Sequence, residues 1–160
     1  MAQTDIGAIP FETIAGDTAR LDDFRGHVVL IVNVASECGY TPQYADLEAL
    51  YRRFGDSGLV VIGFPANNFG GQEPGTNEQI LTFCQSKFDV TFPMMAKVSV
   101  KGSDKHPLFA GLTETSPLPG EIEWNFSKFL LDRDGNLVAR FPSKVGPMSA
   151  EIVAKVEELL

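Results

Sequence analysis

Two continuous apolar segments, residues 28–34 and 59–64, constrain the fold of this chain more than any other feature. Both are rich in β-branched residues, and each is followed by a loop and then by apolar residues at helical spacing. Strands that are apolar on both faces are typical of sheets whose two sides are covered by helices. The sequence therefore predicts an α/β domain with a central mixed sheet flanked by helices.

Shorter apolar runs bounded by turn residues predict the remaining strands. These are residues 11–14 and 18–21, which form an N-terminal hairpin, residues 94–100, and a second hairpin of 126–131 and 137–141. No internal repeat, low-complexity segment or linker divides the chain. Residues 1–160 are therefore predicted to form one domain, which is large enough to bury a substantial core.

Capping residues predict where two of the helices begin. Thr41 is expected to cap a helix that starts at Pro42, and Thr76 opens a capping-box sequence before a helix over 77–88. Right-handed crossovers would place residues 36–41 at the carboxyl end of the first central strand. Sheets of this class hold their functional sites at that edge.

The charge of the chain limits its partners. It has 13 Lys and Arg against 21 Asp and Glu, which gives a formal net charge of −8. Nucleic acids and anionic membranes attract positive surfaces, so neither is an expected partner.

The longest apolar stretch is too short to cross a bilayer, and residues 1–5 lack the basic and apolar regions of a signal peptide. We therefore expect no membrane insertion and a cytoplasmic location.

Cys38 is the candidate nucleophile. It lies between the end of a buried strand and the first turn of a helix, whose N–H groups and positive dipole end favour a thiolate. A thiolate can displace one oxygen of a peroxide and become a sulfenic acid. The alternative is a small buried residue without reactivity, and position alone does not separate the two. Thr41 stands where a Cys-x-x-Cys motif would have its second cysteine, which disfavours a dithiol oxidoreductase.

The other potential metal ligands do not assemble into a site. The two histidines, His27 and His106, lie far apart and beside no cysteine, so no zinc-ligand spacing is present. In a reducing compartment, two cysteines are more often reactive or buried than linked in a permanent disulfide. We expect neither a metal nor a cofactor.

Three segments resemble the signatures of the glutathione peroxidase family. In chain order they are NVASECGYT at 33–41, GFPANNFGGQEPG at 63–75 and WNFSKFL at 124–130. Together they are highly specific, and the resemblance extends from about residue 6 to the C-terminus. It implies a thioredoxin-like fold with an added N-terminal β-hairpin, and a thiol peroxidase that reduces hydrogen peroxide and organic hydroperoxides.

By this resemblance, Gln72, Trp124 and Asn125 join Cys38 in a catalytic tetrad. Amide and indole N–H groups are neutral donors that can stabilise a thiolate and the charge that develops on the leaving oxygen. None of them can remove a proton, so a bound water or the peroxide must move it. The family often has Cys at position 66 and Gln at position 68, where this chain has Ala and Asn. Neither is a tetrad position.

Cys84 resembles the resolving cysteine of the non-selenium, thioredoxin-dependent members. It would form a disulfide with Cys38 that thioredoxin reduces, and glutathione is the less favoured reductant. Because the Cα atoms of a disulfide lie within about 7 Å, the helix over 77–88 would have to unwind locally. The alternative is a core role for Cys84, which shares a helix face with Ile80 and Phe88.

The resemblance also bears on assembly. Tetrameric relatives carry a long insertion between the positions of His106 and Trp124, and this chain lacks it. A monomer, or a weak dimer, with an open site is therefore expected. The rival functions are a peroxiredoxin-type peroxidase, a redox sensor that acts through Cys38, and a binding module with inert cysteines. The first needs a Pro-x-x-x-Thr/Ser-x-x-Cys sequence, and no such proline precedes Cys38.

Overall fold

The structure, a computed structural model, describes residues 6–160. The absence of a signal peptide was predicted from residues 1–5, which lie outside the described residues. The strands are β1 (Phe11–Glu12), β2 (Thr18–Ala19), β3 (Val28–Val34), β4 (Leu59–Pro65), β5 (Lys128–Leu131) and β6 (Leu137–Phe141). The helices are α1 (Gln43–Phe54), α2 (Asn77–Phe88), α3 (Pro107–Ala110) and α4 (Ala150–Leu159).

A four-stranded mixed sheet with the order β4-β3-β5-β6 forms the centre of the molecule. Strand β3 is parallel to β4 and antiparallel to β5, and β6 is antiparallel to β5. Every residue of β3 and β4 is buried, as their continuous apolar character predicts. The hairpin of β1 and β2 is antiparallel and separate from this sheet. The predicted fold class, a mixed sheet with an N-terminal hairpin, is confirmed.

Two hydrophobic cores cover the two faces of the sheet. On one face, Val28, Leu30 and Val32 belong to a core that includes residues of α1, α2 and α4. On the other face, Val29 and Ile31 belong to a core that includes the hairpin and α3. The loops after β3 and β4 therefore begin at the carboxyl ends of two buried strands, in a sheet that is covered on both faces. None of the helices within residues 6–160 has the length and apolar character that crossing a membrane requires.

The predicted strand over 94–100 is wrong. This segment lies between β4 and the hairpin and is joined to each of them by an isolated bridge. Its backbone hydrogen bonds alternate between these two neighbours. The Lys97 N–H donates instead to the side chain of Asn77, at 2.9 Å. The donors are thus divided among several partners, and no regular ladder forms along the segment.

The predicted N-cap at Thr41 is also wrong. Helix α1 begins at Gln43, and no side chain caps it. The Thr41 hydroxyl accepts the N–H of Cys38 and donates to the carbonyl of Ala35, both at 2.8 Å. Thr41 therefore stabilises the loop before the helix, because its hydroxyl is hydrogen-bonded to Ala35 and Cys38, which precede it in the chain.

Candidate active site

Cys38 lies in the loop between β3 and α1, and 7% of its surface is exposed. Its sulfur accepts the N–H of Tyr40 at 3.3 Å. The N–H groups of Gln43 and Tyr44, at the start of α1, are already bonded to loop carbonyls. The donor to the sulfur is therefore a main-chain group of the turn before the helix.

Gln72 lies in the loop after β4, and two glycines determine its position. Gly70 and Gly71 have φ angles of 66° and 63°, a conformation that side chains other than glycine rarely adopt. A Cβ atom at Gly70 would lie 3.3 Å from the Trp124 ring. The Gln72 carbonyl accepts the N–H of Glu37 at 3.0 Å, which joins this loop to the Cys38 loop.

The third segment brings Trp124 and Asn125 to the same place. The Asn125 amide, which is fully buried, donates to the Gln72 side-chain oxygen at 3.0 Å. The half-buried Trp124 ring lies 5.7 Å from the ring of Phe69 and packs against the core that contains Cys38. The loops that carry the four predicted tetrad residues therefore converge at the carboxyl ends of β3 and β4.

Asn33 holds the third segment in place, and it was not among the predicted site residues. Its side chain donates to the Trp124 carbonyl at 3.2 Å and accepts the Ser127 N–H at 3.1 Å. Phe126, between them, has a φ of 63°, so strand β5 begins two residues later than predicted. An amide in a strand that is otherwise apolar is the signal that could have identified Asn33, because buried polar groups need partners.

Cys84 lies inside α2, not in one of the three loops, and is fully buried. The helix has the predicted bounds and the predicted capping box. Burial raises the pKa of the Cys84 thiol to about 11, and the nearby Glu73 carboxyl contributes to the increase. Cys84 is therefore a thiol at neutral pH. Both cysteines are free, and both belong to the same hydrophobic core.

A cavity of about 690 Å³ opens beside Trp124. Tyr40 and Phe141 line it, and so does the buried Lys128, whose ammonium group donates to the Ser143 carbonyl at 3.2 Å. Burial lowers the pKa of Lys128 to about 7. A cavity of this size can hold a small organic molecule. Across residues 6–160, no group of three or more His, Cys, Asp or Glu side chains could bind a metal ion.

Replacing Gln72 by alanine is expected to slow the reaction of Cys38 with peroxide about ten- to a thousandfold, the range for losing one donor to a developing charge. Trp124→Ala is expected to behave similarly. Stopped-flow oxidation of the reduced protein measures the rate. Gln85→Ala is the matched control, because Gln85 is exposed on α2. Unchanged rates in both site variants would mean that these residues only support the fold.

Comparison with known proteins identifies the family of this chain. Residues 8–113 match the glutathione peroxidase family model. A hydroperoxy fatty acid reductase of Synechocystis sp. is 48% identical over 99% of this chain and 98% of that protein. A glutathione peroxidase-like peroxiredoxin of Chlamydomonas reinhardtii is 46% identical over 100% of this chain and 99% of that protein.

Solved structures show which known fold this chain resembles. The crystal structure of Trgpx in its apo form has a TM-score of 0.78 and 36% identity, over 99% of this chain and 96% of that one. A thioredoxin family protein of Chlorobium tepidum, a thiol:disulfide interchange protein, has a TM-score of 0.70 at 16% identity, over 99% and 97% of the two chains. The thioredoxin-like fold is thereby confirmed.

Proposed function

Since this chain belongs to the glutathione peroxidase family and is a thiol peroxidase, we propose that Cys38 is its nucleophile and that Gln72, Trp124 and Asn125 assist it. One observation supports this most directly. The Cys38 sulfur accepts a main-chain N–H in a loop that is hydrogen-bonded to the Gln72 loop, and Gln72 is bonded to Asn125. The loops that carry the proposed nucleophile and the proposed donors are therefore joined at one edge of the sheet.

In the proposed first step, the Cys38 thiolate attacks one oxygen of the hydroperoxide. A sulfur–oxygen bond forms, the oxygen–oxygen bond breaks, and the second oxygen leaves as water or an alcohol after it receives a proton. The thiol proton reaches it through a bound water or through the peroxide itself. Donors at the site stabilise the negative charge on the leaving oxygen. Cys38 is left as a sulfenic acid.

In the proposed second step, Cys84 reduces the sulfenic acid and forms a disulfide with Cys38. Thioredoxin then returns both cysteines to thiols by disulfide exchange. Cys84 is in the interior of α2, so the helix has to open before the two sulfur atoms can meet. The net charge of −8 gives the anionic glutathione no general attraction to this protein, which makes it the less favoured reductant.

The cavity beside Trp124 supports organic hydroperoxides as substrates in addition to hydrogen peroxide. The apolar part of such a molecule would lie against Tyr40 and Phe141, beside the proposed donor Trp124. The relative from Synechocystis is named a hydroperoxy fatty acid reductase, which favours the same substrate class. We further propose that the protein works in the cytoplasm, a reducing compartment in which thioredoxin is available.

Steady-state peroxide consumption with thioredoxin or with glutathione in excess tests this function. We expect repeated turnover with thioredoxin and slower turnover with glutathione. A redox sensor would react with peroxide but turn over slowly, without a preferred substrate. A binding module with inert cysteines would not react, and its Cys38 would be alkylated no faster than a model thiol. Either of the last two results would contradict the proposal.

The protein is expected to be a monomer, because the connection between His106 and Trp124 is short. In tetrameric relatives a long insertion at this position supplies subunit contacts. Light scattering at micromolar concentration should give a mass near 17.4 kDa. A stable tetramer would contradict this prediction.

A further inference from the structure

Glu73, the neighbour of Gln72, is a buried acid whose role the first step does not explain. It is 1% exposed, and neither carboxyl oxygen makes a hydrogen bond of standard geometry. Its main chain, in contrast, is firmly held. Asn67 accepts its N–H at 2.8 Å, and the Lys97 ammonium donates to its carbonyl at 3.1 Å. Burial of a carboxyl group without well-aligned hydrogen-bond partners destabilises a fold, so Glu73 has a cost that its packing alone does not explain.

Glu73 belongs to a polar cluster inside the apolar core, and we call its members, Ser36, Tyr44, Glu73 and Cys84, the Glu73 cluster. The hydroxyl groups of Ser36 and Tyr44 are also buried without a hydrogen bond of standard geometry. The Glu73 carboxyl faces Ser36. Burial raises the pKa of both Tyr44 and Cys84, and the Glu73 charge contributes to each increase. Ile80, which lies one turn before Cys84 on the buried face of α2, lines the same cavity as Glu73, so Glu73 lies against this part of the helix.

The cluster connects the segments that carry the two cysteines. Ser36 is two residues before Cys38 in the same loop, and Cys84 lies in α2. Glu73 thus lies next to the segment that Cys84 leaves and next to the one that it must reach. A cavity of about 290 Å³, lined by Ser36, Glu73 and Ile80 among others, gives solvent a path to this region.

Burial raises the pKa of Glu73 above its ordinary value, and the nearby Glu37 carboxylate raises it further. The Ser36 donors and the Lys97 ammonium act in the opposite direction but do not cancel the increase. Tyr44 and Cys84 are the other titratable groups that it faces, and both stay neutral near pH 7. A carboxylate with a raised pKa is a stronger base than an ordinary glutamate.

We propose that the Glu73 carboxylate takes the proton of the Cys84 thiol and passes it to the departing hydroxyl when the two cysteines form their disulfide. This rests on the proposed function. The sulfur–sulfur bond forms, the sulfur–oxygen bond of the Cys38 sulfenic acid breaks, and the oxygen leaves as water. The sulfenic acid is the oxidant, so no further reactant is needed. While α2 is closed, a thiol pKa of about 11 leaves only about one Cys84 in ten thousand as a thiolate at pH 7, so the thiol needs a base to release its proton.

Single-turnover kinetics of wild type and Glu73→Gln test the proposal. Reduced protein is mixed with one equivalent of hydrogen peroxide, quenched by alkylation at intervals, and analysed by mass spectrometry. Oxidation of Cys38 should proceed at nearly the wild-type rate in the variant, while disulfide formation should slow about a hundredfold or more. Glu78→Gln, the same change at an exposed position of α2, should form the disulfide as fast as wild type.

The pH profile separates a proton-transfer role from a structural one. In wild type, the rate of disulfide formation should fall as the pH drops through the pKa of Glu73, because the protonated acid cannot accept the thiol proton. This acid limb should be absent in Glu73→Gln. Equal disulfide rates in wild type and Glu73→Gln, or a wild-type profile without an acid limb, would overturn the role of Glu73 alone. Absence of any disulfide in wild type would overturn the proposed resolving step as well.

Discussion

Replacing Cys38 by serine is expected to abolish peroxidase activity and to leave the fold intact. A serine hydroxyl stays protonated at neutral pH, so the variant has no thiolate to attack the peroxide. The fold should persist because the change replaces only the sulfur atom by a smaller oxygen, and the Tyr40 N–H can donate to this oxygen as it does to the sulfur. Steady-state peroxide consumption measures the activity, and circular dichroism with urea unfolding measures the fold.

The second cysteine provides the control for this experiment. Cys84→Ser makes the same sulfur-to-oxygen replacement in the core that also contains Cys38. That variant should still consume its first equivalent of peroxide. A Cys38→Ser protein that is folded and retains more than a small fraction of the wild-type turnover would contradict the assignment of the nucleophile.

Replacing Cys84 by serine is expected to eliminate turnover supported by thioredoxin. Cys38 can still be oxidised once, so about one equivalent of peroxide per protein should disappear. The sulfenic acid then persists, and further peroxide should convert it to sulfinic acid more readily than in wild type. Peroxide consumed per protein molecule and the mass of the Cys38 peptide measure these effects.

Because Cys84 is fully buried, its replacement also needs a control for stability. Cys84→Ala removes the thiol without adding a hydroxyl to the core, and it should give the same single turnover. Full activity with thioredoxin in either folded variant would show that Cys84 is a core residue and that another reductant acts directly on Cys38.

Parts of the fold that depend on local signals were predictable from the sequence. Strand β3 and strand β6 have the predicted bounds, and the capping box of Thr76 begins α2 where expected. The segment 94–100 was predicted as a strand from its apolar character, but its hydrogen-bond donors are distributed by the surrounding tertiary structure. The extension of one domain over all of 1–160 stays a prediction.

The prediction of the candidate site depended more on the family resemblance than on hydrophobic periodicity. Gln72 and Asn125 lie in loops, and no spacing rule predicts that their side chains are hydrogen-bonded to each other. The contact requires two consecutive glycines with positive φ, Gly70 and Gly71. Glu73 could not be recognised as buried, since a glutamate in a loop beside prolines and glycines is ordinarily exposed. Its environment is set by the Cys38 loop and α2, which line a cavity together with Glu73 and which only the folded chain brings together.

Mass spectrometry of the wild-type protein after one equivalent of hydrogen peroxide tests the central claim most directly. Peptide mapping under conditions that prevent disulfide exchange identifies which residues have reacted. We predict that Cys38 and Cys84 are linked by a disulfide and that the intact protein has lost two hydrogen atoms. Recovery of Cys38 as an unmodified thiol, after the peroxide has been consumed, would contradict the account.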